Sequence, residues 1–409
     1  MEMTKYKLGD IATIYDGPHA TPKRTDNGPV YLGIDAITED CKINPNEFTF
    51  LSEEDYKIWT KRVVPQFKDI VFSYEATLGR YAIIPKNFYG CLGRRLGIIR
   101  VKGDAVDYKW LYYFFQSPQW KCYIKNHIIK GSTVNRISVD EMPGYEIPAC
   151  GIADQKKIAS VLSALDDKIA LNKKMNQKLE AMAKRLYDYW FVQYDFPDKN
   201  GHPYKTTGGP MTYNPTLKRE IPAGWEVKSL FDCSDVLYGF PYATEPFDEE
   251  NLDASTKPYP VIRIRDIKDN TISAKTTEAV DDKYRTIVND LLIGMDGYFH
   301  MSFWPRNDDY VNQRITRIRH KELSVMIIYH QIAPFIKFKE DQAKGSTVGH
   351  LSDKDMKQIN ILVPNNPQIS EKFDSILNLI TKNKREISRL TKLRDKLLPL
   401  LMNGQIVVK

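Results

Sequence analysis

The five cysteines, Cys41, Cys91, Cys122, Cys150 and Cys233, are odd in number, lie far apart and form no C-x-x-C pair. That spacing argues against a disulfide framework and a cysteine-based zinc site, and it predicts a reduced, cytoplasmic protein. No apolar run approaches the length of a membrane span. The opening MEMTKYKLGDIA carries no apolar core of the secretory kind, so neither membrane insertion nor export is expected. Catalytic signatures are missing too. There is no G-x-G-x-x-G, G-x-x-x-x-G-K-[ST] or H-E-x-x-H, and K-G-S-T, which occurs twice, has its Lys before the Gly. A phosphate-cradling loop needs the Lys after the turn. No N/D-P-P-Y/F of the amino-methyltransferase kind occurs, and the NPT at Asn214 is not one. The seven His are scattered without metal-ligand spacing. A nuclease-like set, Asp248 with Asp266-Ile267-Lys268, is disfavoured because Asp266 aligns with Asp35, where the other half of the chain reads DAI without the Lys. A non-catalytic binding module is expected, with no cofactor or metal of its own.

What is present is a long, well-patterned chain. Its 409 residues suit two or three domains, and 42% hydrophobic with 11% aromatic residues suffices for real cores. The net charge of +7 permits a polyanionic partner without requiring one. Between Asp154 and Gln193, alternating steps of four and three select Ile158, Leu162, Leu165, Ile169, Asn172, Asn176, Leu179, Ala183, Leu186 and Trp190. That is a coiled-coil seam over several heptads, with charge on the other faces and no Gly or Pro. The last forty residues carry the same frame 211 positions later: Ile369, Phe373, Ile376, Ile380, Asn383, Ile387, Leu390, Arg394, Leu397 and Leu401. Two helices made for each other are predicted, the first seam about 48 Å long. The plain alternative is two unrelated amphipathic helices packed on their own domains.

The segments before each helix are also duplicated. KLGDIATIYDG matches SLFDCSDVLYG, PVYLGIDAI matches PVIRIRDIK, and DIVFSYEATLG matches DLLIGMDGYFH, with Asp69 on Asp290. LGRRLGIIR answers NQRITRIRH, and KGSTVNRIS answers KGSTVGHLS. These segments read as short strands with Gly or Pro boundaries, while DYKWLYYFFQS reads as a helix capped by Asp107. Asp195 to Trp225 is rich in Gly, Pro and polar residues without periodicity and reads as a linker or extended loop. One strand-rich domain plus one long helix has been duplicated. Antiparallel pairing of the helices would make a pseudo-two-fold molecule with a rigid spacer, suited to two separated half-sites such as DNA offers a helical turn apart.

Over nearly its full length the chain resembles the specificity (S) subunit of type I restriction–modification systems (the HsdS family). The resemblance rests on the KLGDIATIYDG opening, the KGSTVNRIS loop and DQKKI helix start, then IPAGWEVKSL, KGSTVGHLS and the closing LLPLLMNG. The second helix start, PQISEKF, departs from the Gln-x-x-Ile pattern. The resemblance implies an α+β fold: target-recognition domain 1 at 1–152, a central long helix at 153–194, a linker at 195–224, target-recognition domain 2 at 225–366 and a C-terminal long helix at 367–409. It implies binding of double-stranded DNA at a bipartite, asymmetric site and docking of two methyltransferase (M) subunits. Restriction (R) subunits would join them. S-adenosylmethionine, ATP and Mg would sit in those partners. The rival readings are a stand-alone DNA methyltransferase or nuclease, and a coiled-coil adaptor for RNA or protein.

Phosphate binding calls for Lys and Arg, and base reading for Arg, Asn, Gln, Ser and Thr on groove-facing loops. The first-half candidates are His19, Thr21, Lys23, Arg24, Arg80, Arg94, Arg95, Lys130, Ser132, Thr133, Asn135 and Arg136. Those of the second half are Tyr242, Thr244, Arg263, Arg265, His300, Asn312, Gln313, Arg314, Lys344, Ser346, Thr347 and His350. For each the plain alternative is a solvated surface side chain, and for the two K-G-S-T loops it is a structural turn before the next strand. Tyr187, Tyr189, Trp190 and Phe191 are read as a cover for the domain–helix junction, with partner docking as the alternative. Asn172 and Asn383 share the fifth step of their seams and are expected to lie close to each other across the seam and fix the helix register, the plain alternative being that each faces solvent where the helices splay.

Overall fold

The computed structural model describes residues 2–131, 134–242, 258–278, 280–343 and 349–408. The chain separates into two compact units, Met1–Lys168 with Leu390–Lys409, and Ile169–Arg389.

The first unit contains a four-stranded antiparallel sheet in the order Ala12–Asp16, Leu96–Val101, Ile70–Ser73, Tyr81–Ile83. Beside it is a smaller sheet of Thr49–Phe50, Thr25–Leu32 and Gly90–Leu92. The expected strand over Lys7–Gly17 is interrupted by a helical turn at Leu8–Ile11. Leu8 and Ile11 are both buried, and a spacing of three brings them to one side of a helical turn but to opposite faces of a strand. As predicted, Asp107 caps the helix Tyr108–Phe114, accepting from the backbone of Lys109 and Trp110.

The second unit repeats both sheets: Ser234–Tyr238, Ile315–His320, Leu291–Gly294, Met301–Phe303, and Ala274–Thr276, Tyr259–Ile262, Tyr310–Val311. The internal pairs are copied with them. Arg100 grips Asp69 through Nε and Nη2, both at 2.7 Å, and Arg319 grips Asp290 at 2.8 and 2.9 Å. Each carboxylate also accepts a backbone N–H three residues earlier, from Gln66 and Ile287. Strand pairing refines the sequence alignment by one position, so that Arg95, not Arg94, corresponds to Arg314. Ser73 faces Leu96 where Gly294 faces Ile315.

The long helices run Ile152–Tyr187 and Pro367–Met402. In the first unit the start of one packs with the end of the other: Ile158, Leu162, Leu401 and Met402 share a core. There Asp166 accepts from Lys42 (2.6 Å), Tyr113 (2.9 Å) and Arg394 (3.0 Å). Burial opposes its charge, but Lys42 and Arg394 hold its carboxyl below the usual range. Arg394, an oddity in an apolar seam, is thereby explained. In the second unit Phe191 and Phe373 share a core and Trp190 meets Phe373 edge-on, so pairing is again antiparallel. Lys384 reaches Ser302 Oγ and the Phe303 carbonyl, and burial pulls its ammonium down to about 8 against the pull of Glu180.

The D-Q-x-x-I signature has a structural task. Gln155, fully buried, donates to the carbonyls of Ala105 and Cys150 and accepts from the Asp107 N–H at 2.8 Å. In the second unit Ser370 takes over the last bond, accepting from the Ser324 N–H at 2.7 Å one residue before the helix Val325–Ala343. The departure at PQISEKF therefore changes the side chain and keeps one of the three bonds.

Residues 195–224 differ from the expected linker. Met211–Asn214 and Arg219–Pro222 form a hairpin. Tyr194, Phe196 and Ile221 join Phe191 and Trp225 in the unit's main core. Aromatic anchors spaced among Gly and Pro bury enough surface to order a segment that has no periodicity.

Candidate nucleic-acid interface

Of the predicted contacts, Ser132, Thr133, Thr244, Lys344, Ser346 and Thr347 lie outside the described residues. His19, Thr21, Lys23, Arg24, Arg94, Lys130, Asn135, Arg136, Arg265, Gln313, Arg314 and His350 are exposed. Arg80, Arg95, Tyr242, Arg263, His300 and Asn312 are half-buried. Several have internal work. Arg80 donates to the Ile37 carbonyl and Glu39, Arg265 to Ser273 Oγ, and Tyr242 packs on Phe240 with its hydroxyl buried. Burial pushes that Tyr242 hydroxyl well above the ordinary phenol range. His19 pairs with Asp16 at 2.8 Å, and His300 stacks on Tyr298. Asp266 is engaged as a local cap, accepting from Arg263 N–H, Thr271 and Ser273, while Asp248, the other acid of the nuclease-like set, lies outside the described residues. Among the described residues no group of three His, Cys, Asp or Glu is placed to hold a metal ion.

Three segments converge in each unit, two of them carrying predicted contacts. In the first, the turn after Ile70–Ser73 carries Glu75, whose carboxylate meets Arg95 Nε at 2.9 Å, and Glu75 pairs through its backbone with Arg136. Tyr74 N–H donates to the Arg95 carbonyl, and Ile137 N–H to that of Tyr74. In the second, Asp296 holds Arg314 Nε at 3.2 Å and His350 Nδ1 at 2.6 Å, with the same backbone bonds from Met295 to Arg314 and from Leu351 to Met295. Arg95 with Arg136, and Arg314 with His350, are thus brought to one rim of their own unit. The acids escaped sequence reasoning because carboxylates are poor partners for phosphate. Their signal was positional: each lies six residues after an aligned Asp. In the first K-G-S-T loop a Cβ on Gly131 would stand 2.2 Å from the Val134 carbonyl, so only Gly suits this close approach, and the neighbouring Lys130 is exposed.

The expected Asn pair is corrected. Asn383 donates to Asn176 Oδ1 at 2.8 Å, and Asn176 donates to the Ile380 carbonyl, while the buried Nδ2 of Asn172 has no partner. The helices pair four residues, about 6 Å, away from the register that would join Asn172 to Asn383. Replacing Asn176 and Asn383 together with Leu should raise the melting temperature, because both partners of a buried bond are exchanged for apolar groups. The same variant should tolerate altered spacer lengths in the DNA site. A lower melting temperature, or unchanged strictness towards spacer length, would count against the register role. At the junction, Tyr187 stacks on Phe191 and Phe191 packs on Trp225, as a cover requires, while Tyr189 is exposed.

A family model described as type I restriction modification DNA specificity domain matches residues 1–181 and 222–392. The type I restriction enzyme MjaIX specificity subunit of Methanocaldococcus jannaschii is 27% identical over 378 residues, covering 88% of this chain and 82% of that one. The HindI specificity subunit of Haemophilus influenzae is 24% identical, covering 68% and 72%. The crystal structure of a type I S subunit from M. genitalium superposes with a TM-score of 0.57 at 17% identity, covering 98% of this chain and 96% of that one, and so shares the fold. Twofold matching by one domain family, on a chain whose two units repeat the same sheets and the same rim, places this protein in the type I restriction–modification DNA specificity family.

Proposed function

We propose that the chain is the specificity subunit of a type I restriction–modification complex. It binds double-stranded DNA at a split, asymmetric site and directs methyltransferase and restriction subunits to it. The observation that carries this reading is the duplicated rim. Two units of one topology present Arg95 with Arg136 and Arg314 with His350 from corresponding loops. Their surroundings differ, so each unit reads different bases. Lys130, exposed beside Gly131, suits a phosphate contact. The chemistry belongs to the partners: S-adenosylmethionine to two methyltransferase subunits, ATP and Mg to the restriction subunits.

The test is methyl transfer by reconstitution. The purified chain should methylate nothing. With its methyltransferase subunits and S-adenosylmethionine it should direct adenine methylation to one bipartite motif, read out by single-molecule sequencing of methylated genomic DNA. Methylation by the chain alone, or methylation without a motif by the complex, would sink the reading.

A further inference from the structure

Two acids sit where a DNA-facing rim gains nothing from negative charge. Glu75 and Asp296 occupy the same place in the two units, each between an Arg of the strand turn and a residue that follows the K-G-S-T loop. Stability does not explain them. The Glu75 and Arg95 side chains are 26% and 30% exposed, and those of Asp296 and Arg314 28% and 53%. Pairs so open to water contribute about 0–1 kcal/mol. The turn that delivers the acid is nevertheless built with care. Ala76 holds a φ of 65° where the other copy uses Gly297 at 69°, and Arg95 itself stands at 72°. Non-glycine residues in that region cost of order 1–2 kcal/mol each.

We propose that Glu75 and Asp296 are positioning residues that aim Arg95 and Arg314 at base edges, Asp296 fixing His350 as well. This rests on the DNA-reading function proposed above. An unrestrained Arg carries about 2 kcal/mol of rotamer freedom, which a contact must overcome. Anchoring removes part of that cost before DNA arrives. In both pairs the closest approach is through Nε, an ion-pair contact rather than an aligned hydrogen bond, since the buried Arg95 Nε has no hydrogen-bond partner. A guanidinium held there keeps donors for a bidentate contact, and the edge they fit is that of guanine, O6 with N7. The inferred targets are one G·C pair in each half of the motif.

Three ideas about the acids predict different signs. A repelling acid, once neutralised, gives tighter binding to every duplex. A purely structural acid, once changed, lowers the melting temperature. A positioning acid, once neutralised, loses discrimination while affinity for unrelated DNA stays level or rises, since one negative charge has gone.

The experiment uses the complete methyltransferase complex and duplexes carrying its mapped motif, each base pair substituted in turn. Asp296→Asn should reduce discrimination at a G·C pair of the half-site read by the second unit about tenfold or more, the worth of one bidentate contact. The other half-site and the melting temperature should not move, and Asp296→Glu should recover most of the loss. In the first half-site Glu75→Gln should show the same loss and Glu75→Asp the same recovery. Equal tightening on cognate and unrelated duplexes would overturn the inference, as would unchanged discrimination or a loss that tracks melting temperature. If the wild-type complex methylates no split motif, the functional reading itself has failed, and that is seen before any variant is made.

Discussion

Asp290→Ala should cost about 3–5 kcal/mol of stability, the usual penalty for leaving a buried charge without its partner. Asp290 is 1% exposed and receives both donors of Arg319, and Arg317 stands 4.0 Å away. For a unit of this size the loss amounts to roughly 6–20 °C in melting temperature. Asp69→Ala in the first unit should do the same through Arg100. Removing both partners separates the two copies. Asp69→Leu with Arg100→Met should return close to the wild-type melting temperature, because an apolar pair of similar volume is as good as a buried ion pair. Asp290→Leu with Arg319→Met should not. Arg317, 2% exposed, fills the place that Ile98 has in the first sheet and would be left with Asp235 alone. Equal recovery in both units, followed by thermal denaturation, would contradict this assignment.

Exchanging residues from about Gly9 to Arg136 for the same region of a relative should replace one half of the methylated motif and leave the other untouched. The reason is structural independence. Both sheets of the first unit, their core and the rim around Glu75 are formed within that unit, and the second unit has its own set. The effect should be close to all-or-none, since specific and non-specific DNA binding differ by roughly 10³–10⁷. Methylation at the former motif should fall to background while a hybrid motif appears. Base changes in both halves would show that the two units do not read separately.

Much of this was legible in one dimension. A 3–4 step repeat needs no knowledge of its partner, so Ile158, Leu162, Ile369 and Phe373 could be read as seam residues, and all are buried. Duplication likewise announced the paired sheets. What the sequence withheld were relations between segments. Asn383 had two candidates one turn apart, Asn172 and Asn176, and choosing between them takes the packing of both helices. Glu75 and Asp296 bear the wrong charge for DNA contact and gain meaning beside Arg95 and Arg314. The core aromatics of residues 194–225 were hidden by Gly and Pro, which mark turns and say nothing about burial.

The unpartnered amide of Asn172 carries information about descent. In the register set by the bond between Asn176 and Asn383, position 172 stands opposite position 387, an isoleucine. By the 211-residue offset, Ile387 is the copy of Asn176 and Asn383 the copy of Asn172. Two identical helices in this register would therefore form the same amide bond twice, once at each crossing. Here one position keeps it, and at the other isoleucine stands in place of the second asparagine. The helix pair has the geometry of a self-complementary ancestor and the chemistry of two copies that have since parted.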